Sequence, residues 1–365
     1  MRVRLLELQD ESDARQACAA AGTPAIEAGL RGWAALLPSD MAEAIRPSGA
    51  TVLSGSRAVL VAGSLFQLRG IAPGIASLVA GIESPGRWRL PRAGLPDRPL
   101  VMGIVNVTPD SFSDGGSFLT AGAAVEHGLR LAGEGADLLD VGGESTRPGA
   151  GGVSAAEERA RIEPVVRELA ARSGVPVSID TTKAEVASAA LDVGAQIVND
   201  VSGLSADPAL APLVARRDAA LIVMHSRGAS RDMQSRAVYS DLHGEVLAEL
   251  DAALQRARNA LVPEERLALD PGLGFAKTAG HNLLLLRRQR EPLQLGRPLV
   301  VGASRKSFMG RIDGRPPAER VIASVACAAV SVLNGAMVIR AHDVRETRDA
   351  VLVAHAIQQS RASES

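Results

Sequence analysis

The chain has 365 residues, 46% of them apolar, which is enough for one large domain with a small companion or for two ordinary domains with sizeable cores. A formal charge of −1 gives no basis for expecting nucleic acid or an anionic membrane as a partner. Cys18 and Cys327 lie far apart with no CxxC pattern, so neither a disulfide framework nor a zinc site can be built from them, and a reducing cytoplasm is the natural home.

The N-terminal stretch MRVRLLELQDESDARQ turns acidic before any apolar core develops, which argues against a signal peptide. RVRLLEL reads as a strand, Ser12 to Ala21 and Ala25 to Leu37 as helices, and ATVLSGSRAVLVAG as a hairpin turning near Ser54-Gly55. Nothing in this part gathers acids, bases or metal ligands, so residues 1–83 are expected to form a small α/β accessory domain of unknown role. SPGRWRLPRAGLPDRPL, residues 84–100, holds four prolines among Gly and Arg and cannot sustain a helix or a central strand. It reads as a linker.

From residue 101 to about 358 short apolar runs alternate with helical stretches, the pattern of βα units around a parallel sheet. The runs are VMGIVN from Val101, DLLDVG from Asp137, VPVSID from Val175, AQIVND from Ala195, ALIVMH from Ala220, LALD from Leu267, LVVGAS from Leu299 and AMVIR from Ala336. Eight such runs in about 250 residues predict a (β/α)₈ barrel. The long apolar stretch Val321 to Ile339 is interrupted by Asn334 and Gly335, so it reads as a buried helix, a turn and a strand rather than a membrane span. Each run closes on a polar residue: Asn106, Asp140, Asp180, Asn199-Asp200, His225, Asp270, Ser304 and Arg340. A barrel collects these ends on one rim, whereas an open doubly wound sheet would spread them along a line, and no GxGxxG follows the first run.

Two loops stand out. The first, MGIVNVTPDSFSDGG, carries Asn106, Asp110 and Asp114 and ends in a Gly pair. The second, DVGGESTRPG, offers glycine N–H groups, the Thr146 hydroxyl and the Arg147 charge, a set suited to an oxyanion such as phosphate. No Walker motif is present.

Together with SIDT (178–181), IVND (197–200), LDPGLGF (269–275), GASRKSF (302–308) and IRAHD (339–343), these loops resemble the dihydropteroate synthases, in the family's order and over the whole chain after the linker. The resemblance implies condensation of 6-hydroxymethyl-7,8-dihydropterin diphosphate with p-aminobenzoate, giving 7,8-dihydropteroate and pyrophosphate. It places Asp180, Asn199, Asp270, Lys306 and Arg340 on the pterin. Asn106, Thr146, Arg147, Arg340 and His342 fall on the diphosphate, with Asn106 on Mg²⁺. Phe112, Thr146, Pro148, Phe275 and Ser307 fall around p-aminobenzoate. Lys306, Arg340, His342 and Asp114 are the expected catalytic set, and sulfonamides are expected to compete for the p-aminobenzoate pocket. A homodimer through barrel helices is expected on the same ground.

Plainer roles compete at several positions. A strand-end Asp such as Asp180 can cap the following helix, although Thr181 and Thr182 serve as well. Asn106 can be a buried turn amide. His225 reads better as structural than as a ligand. Asp114 sits where Asp commonly makes turns, and Glu144 and Arg147 can simply pair. Two other functions share part of the pattern. A methyltransferase acting between a methylated folate and a corrinoid protein would keep the pterin acids but lack TPDSFSDGG, ESTRPG and SRKS. A pterin-binding protein without catalysis would show decay at matched positions, and none is visible.

Overall fold

The computed structural model describes residues 3–23, 30–45, 49–107, 117–146 and 151–360. It divides into two compact units, Met1–Gly86 with Arg288–Arg297, and Arg87–Arg287 with Pro298–Ser365.

The first unit is a four-stranded antiparallel sheet in the order β1-β2-β4-β3, built from β1 (Arg4–Leu8), β2 (Gly32–Pro38), β3 (Thr51–Ser54) and β4 (Ala58–Gly63). Helix α1 (Glu11–Ala21) follows β1, and α2 (Leu65–Arg69) and α3 (Pro73–Glu83) follow β4. Asp10 and Asp13 form a capping box that starts α1, and Gly22 in the left-handed region ends it. Leu6, Leu8, Ala34, Leu36, Leu60 and Ala62 pack with Ala17, Cys18 and Ala21 on one sheet face. The expected helix over Ala25 to Leu37 is corrected: Gly32–Pro38 is the inner strand β2, paired on both sides, and residues 25–29 lie outside the described residues. An Ala- and Leu-rich run bounded by Gly and Pro satisfies either period, and partner strands on both sides decide the outcome. The outer edge of β1 is closed by chain from far along the sequence. The Gln294 amide accepts from Leu5 N (2.8 Å) and donates to Leu5 O (3.0 Å), and Glu291 Oε1 accepts from Glu7 N (2.8 Å).

The second unit is a closed barrel of eight parallel strands. In chain order it runs β5 (Leu100–Asn106), α4 (Ser117–Gly133), β6 (Leu138–Gly142), α5 (Ala155–Arg172), β7 (Val177–Asp180), α6 (Ala184–Asp192), β8 (Ile197–Asp200), α7 (Leu210–Arg216) and β9 (Ala220–Met224). It continues with α8 (Leu242–Asn259), β10 (Leu267–Asp270), α9 (Ala279–Arg287), β11 (Leu299–Val301), α10 (Ser307–Asp313), α11 (Val321–Leu333), β12 (Ala336–Ala341) and α12 (Val344–Gln359). The stretch from Val321 is a helix, a turn at Asn334-Gly335 and a strand, as its sequence indicates. Among the described residues no helix is long and apolar enough to cross a membrane.

The barrel floor is apolar because seven of the eight strands send side chains to the axis there: Leu100, Met102, Leu138, Ile197, Ala220, Ile222, Ala268, Val300 and Val338 form one buried cluster, to which β7 adds no residue. Trp88 and Leu90, from the Pro-rich stretch, join that cluster, and Trp88 Nε1 donates to Arg266 O (3.0 Å). That part of the stretch is therefore packed into the barrel rather than strung out as a spacer.

Candidate active site

Side chains on a strand alternate between faces, so the residue two places beyond each floor position also points inward, but nearer the C-terminal rim. Leu138 is followed in this way by Asp140, Ile197 by Asn199, Ala268 by Asp270, Val300 by Gly302 and Val338 by Arg340. Asp180 stands in register with Asn199, and Asn106 with Gly142. The barrel interior is apolar below and polar above, and both facts follow from the period of two.

These polar groups meet at Arg340. Its Nε lies 2.6 Å from Asp140 Oδ2 and its Nη2 lies 2.9 Å from Asp180 Oδ2. Asn199 Nδ2 donates to the same Asp140 oxygen at 3.0 Å. Asp180 Oδ1 is buried with no hydrogen-bond partner among the described residues, an acceptor open to a ligand. Burial is the main force raising the Asp180 carboxyl, which is pushed up to about 7; the Arg340 guanidinium opposes the rise, and Asp140 and Glu158 add to it. Asp270 is raised chiefly by burial, against Lys306 and a hydrogen bond from Gly272 N at 2.6 Å. Asp180 caps no helix, because Asp207 Oδ2 accepts from Ala184 N (2.8 Å) at the start of α6.

Lys306 follows β11 at the entry to α10. Its ammonium donates to Leu273 O and lies 4.5 Å from the centroid of the Phe275 ring. Burial pulls its pKa down to about 8, opposed by the charges of Asp270 and Asp180. Gly302 keeps the rim open beside these groups: a Cβ there would lie 3.8 Å from Arg340 Cβ and 4.0 Å from Asp270 Oδ2. His342 N and Nδ1 both contact Ser304 Oγ, at 3.1 and 3.0 Å, which holds the imidazole beside the end of β12. Ser307 is exposed at the first position of α10.

A cavity of about 430 Å³ opens over this rim, within the size range of small-molecule sites. Thr146, Asp180 and Phe275 line it, with Glu144, Glu158, Ser226 and Arg231. Lys183 Nζ bridges Glu144 and the buried Glu158, while a pairing of Glu144 with Arg147 falls on a residue outside those described. Phe112, Asp114, Arg147 and Pro148 lie outside the described residues. His225 is buried with Nδ1 2.8 Å from Lys277 Nζ and Nε2 3.1 Å from Glu249, and burial with the Lys277 charge lowers its pKa to about 4 against the pull of Glu249. Among the described residues no group of three or more His, Cys, Asp or Glu side chains is placed to hold a metal ion.

The sequence placed Asp140 among the polar strand ends without a role, although it anchors Arg340. The signal was a charge inside a strand whose every residue is buried, since such a group needs a cationic partner. Lys183, Glu158 and Lys277 were also unassigned, because their partners come from separate loops.

The family model for pterin binding enzymes matches residues 102–342. The dihydropteroate synthase of Mycobacterium leprae is 51% identical over 260 residues, covering 69% of this chain and 91% of the relative. The crystal structure of Yersinia pestis dihydropteroate synthase with a sulfonamide drug superposes with a TM-score of 0.71 at 41% identity, covering 74% of this chain and 99% of that one. The Xanthomonas albilineans dihydropteroate synthase with 4-aminobenzoic acid gives 0.69 at 45% identity, over 73% and 95% of the two chains. With the rim of acids around Arg340 and these relatives in hand, the chain belongs to the pterin-binding enzyme family and groups there with the dihydropteroate synthases.

Proposed function

We propose that the barrel condenses 6-hydroxymethyl-7,8-dihydropterin diphosphate with p-aminobenzoate, releasing 7,8-dihydropteroate and pyrophosphate. The observation that carries this reading is the buried Asp180 Oδ1, without a partner among the described residues, beside Asp270 and Asn199, a row of acceptors for the amidine-like N–H edge of a pterin. Lys306 leaves the Leu273 carbonyl to donate to ring acceptors, and Arg340, fixed by Asp140, presents its plane to the ring and its charge to the diphosphate. The dihydropterin ring stabilises positive charge at its exocyclic carbon as the carbon–oxygen bond breaks, so the substitution is loose. Arg340 and His342, with Thr146 and Arg147 of the second loop, receive the charge of the departing diphosphate. The amine of p-aminobenzoate is nucleophilic when neutral and needs no strong base. Its ring lies against Phe275, with Thr146, Ser307 and, on the first two loops, Phe112 and Pro148. Asp114 is assigned to the leaving-group side.

Mg²⁺ fits the donor set, because the half-buried Asn106, with an amide oxygen to offer, ends β5 at the same rim, and Mg²⁺ retains waters and takes substrate phosphate oxygens. When bound it supplies charge neutralisation of the diphosphate. A second copy of this chain is the proposed partner. Ile322, Val330 and Leu333 on α11 and Leu352, Val353 and Ile357 on α12 leave an exposed apolar face on neighbouring barrel helices. The free thiols of Cys18 and Cys327 agree with a reducing cytoplasm. Calorimetric titration with the pterin diphosphate tests the pocket: Asp180→Ala and Asp270→Ala each raise its Kd by roughly tenfold or more. Unchanged affinity in both variants would remove the assignment.

A further inference from the structure

The turn after β10 has an unusual support. Gly272, Gly274 and Ala276 all have positive φ (68°, 84° and 48°), so the turn's carbonyls point outward without a regular ladder to receive them. Four consecutive carbonyls accept from side chains instead: Leu273 O from Lys306 Nζ, Gly274 O from Gln234 Nε2 (3.0 Å), Phe275 O from Lys277 Nζ (2.9 Å) and Ala276 O from Tyr239 Oη (2.9 Å). Asn282 Oδ1 accepts from Gly274 N at 2.7 Å.

Tyr239 is the only tyrosine in the chain. Its ring carries the Arg227 guanidinium 4.0 Å from its centroid and makes a T-shaped contact with His281, with 5.2 Å between the ring centroids. Arg227 is fixed in turn by Glu245 (2.7 Å) and Glu249 (3.0 Å). A phenylalanine on a turn with two glycines would sample many directions. Here the peptide groups on both sides of Phe275 are pinned, and the ring faces the cavity.

We propose that Gln234 and Tyr239, from the segment between β9 and α8, are positioning residues for the p-aminobenzoate end of the site: by gripping the carbonyls that flank Phe275 they fix the ring against which that substrate packs. The inference rests on the proposed placement of p-aminobenzoate against Phe275. Lys277 and Lys306 complete the grip, but Lys306 also serves the pterin and Lys277 is buried on His225, so the other two isolate the effect.

The test compares Tyr239→Phe, Gln234→Met, the double variant and Phe275→Ala, with KM for each substrate, kcat and thermal midpoint measured in all four. Each single variant loses one neutral hydrogen bond, and the KM for p-aminobenzoate rises about three- to tenfold. The double variant raises it further, while kcat and the KM for the pterin diphosphate stay within about twofold. A double variant with the wild-type KM for p-aminobenzoate, when Phe275→Ala raises it, overturns the grip alone. Parallel rises in both KM values also overturn it, since they mark a barrel loosened in general. Phe275→Ala with an unchanged KM for p-aminobenzoate overturns the placement of that substrate and the grip with it. Gln234 is exposed, so its variant folds even where Tyr239→Phe does not.

Discussion

Replacing Asp140 by Asn separates the two carboxylates that share Arg340. Asp140 Oδ2 and Asp180 Oδ2 sit 2.6 and 2.9 Å from neighbouring nitrogens of one guanidinium. Their charges are then roughly 5 Å apart, a repulsion of about 3 kcal/mol at an effective dielectric of about 20. Removing it, and leaving Arg340 to Asp180 alone, lowers the Asp180 pKa from about 7. The fall is about two units at most, because one unit corresponds to about 1.4 kcal/mol. Asn keeps the oxygen that Arg340 and Asn199 use but places an amide where Asp140 Oδ1 has no partner among the described residues, at a cost of about 1–3 kcal/mol in stability. An ionised Asp180 accepts the pterin N–H groups, so kcat/KM for the pterin diphosphate falls below its pKa. The assay is the pH profile of kcat/KM. The acid limb of Asp140→Asn moves down by roughly one to two units whatever its amplitude. A limb that stays in place or moves up would refute the like-charge account.

Lys306→Ala removes the charged donor between Asp270, Asp180 and Phe275; pterin binding weakens by about ten- to a hundredfold and turnover nearly disappears, read by calorimetry and steady-state kinetics. Unchanged kinetics would take Lys306 out of the site. Gly272→Ala places a Cβ 1.9 Å from the His225 carbonyl oxygen in a residue with φ of +68°, and neither backbone can yield easily. The expected cost is roughly 3 kcal/mol or more in denaturant unfolding, and a wild-type midpoint would contradict the tight approach of the two turns. Gln294→Leu strips the amide from both polar groups of Leu5 on the edge of β1. Local stability drops by about 2–4 kcal/mol, seen as faster amide exchange at Leu5; an unchanged rate would show that the edge does not depend on Gln294.

Much of the barrel was legible because its code is local. A run such as DLLDVG or AQIVND states its strand, its inward face and its rim residue by alternation alone, and β6 and β8 lie where those runs do. LVVGAS overstated its strand, since pairing in β11 stops at Val301 and Gly302 to Ser304 turn into the loop. What the sequence hid depends on distant partners. Residues Arg288–Arg297 belong to the compact unit of the N-terminal sheet, which no pattern in LRRQREPLQLGR announces. The same holds for β2, read as a helix until its two partner strands are known, and for Asp140, whose role exists only once β12 brings Arg340 beside it. Asp140, Asp180, Asn199 and Arg340 do gather at one rim, which is the feature that strand-end polarity can foretell, whereas Lys306 and Phe275 reach it from the loops after β11 and β10.

The reaction itself is tested most directly by pyrophosphate release from the purified chain given the dihydropterin diphosphate, p-aminobenzoate and Mg²⁺, with each omitted in turn. The account predicts release only when all three are present, with 7,8-dihydropteroate formed in equal amount. Folded protein that binds the pterin yet releases no pyrophosphate with all three present would contradict it.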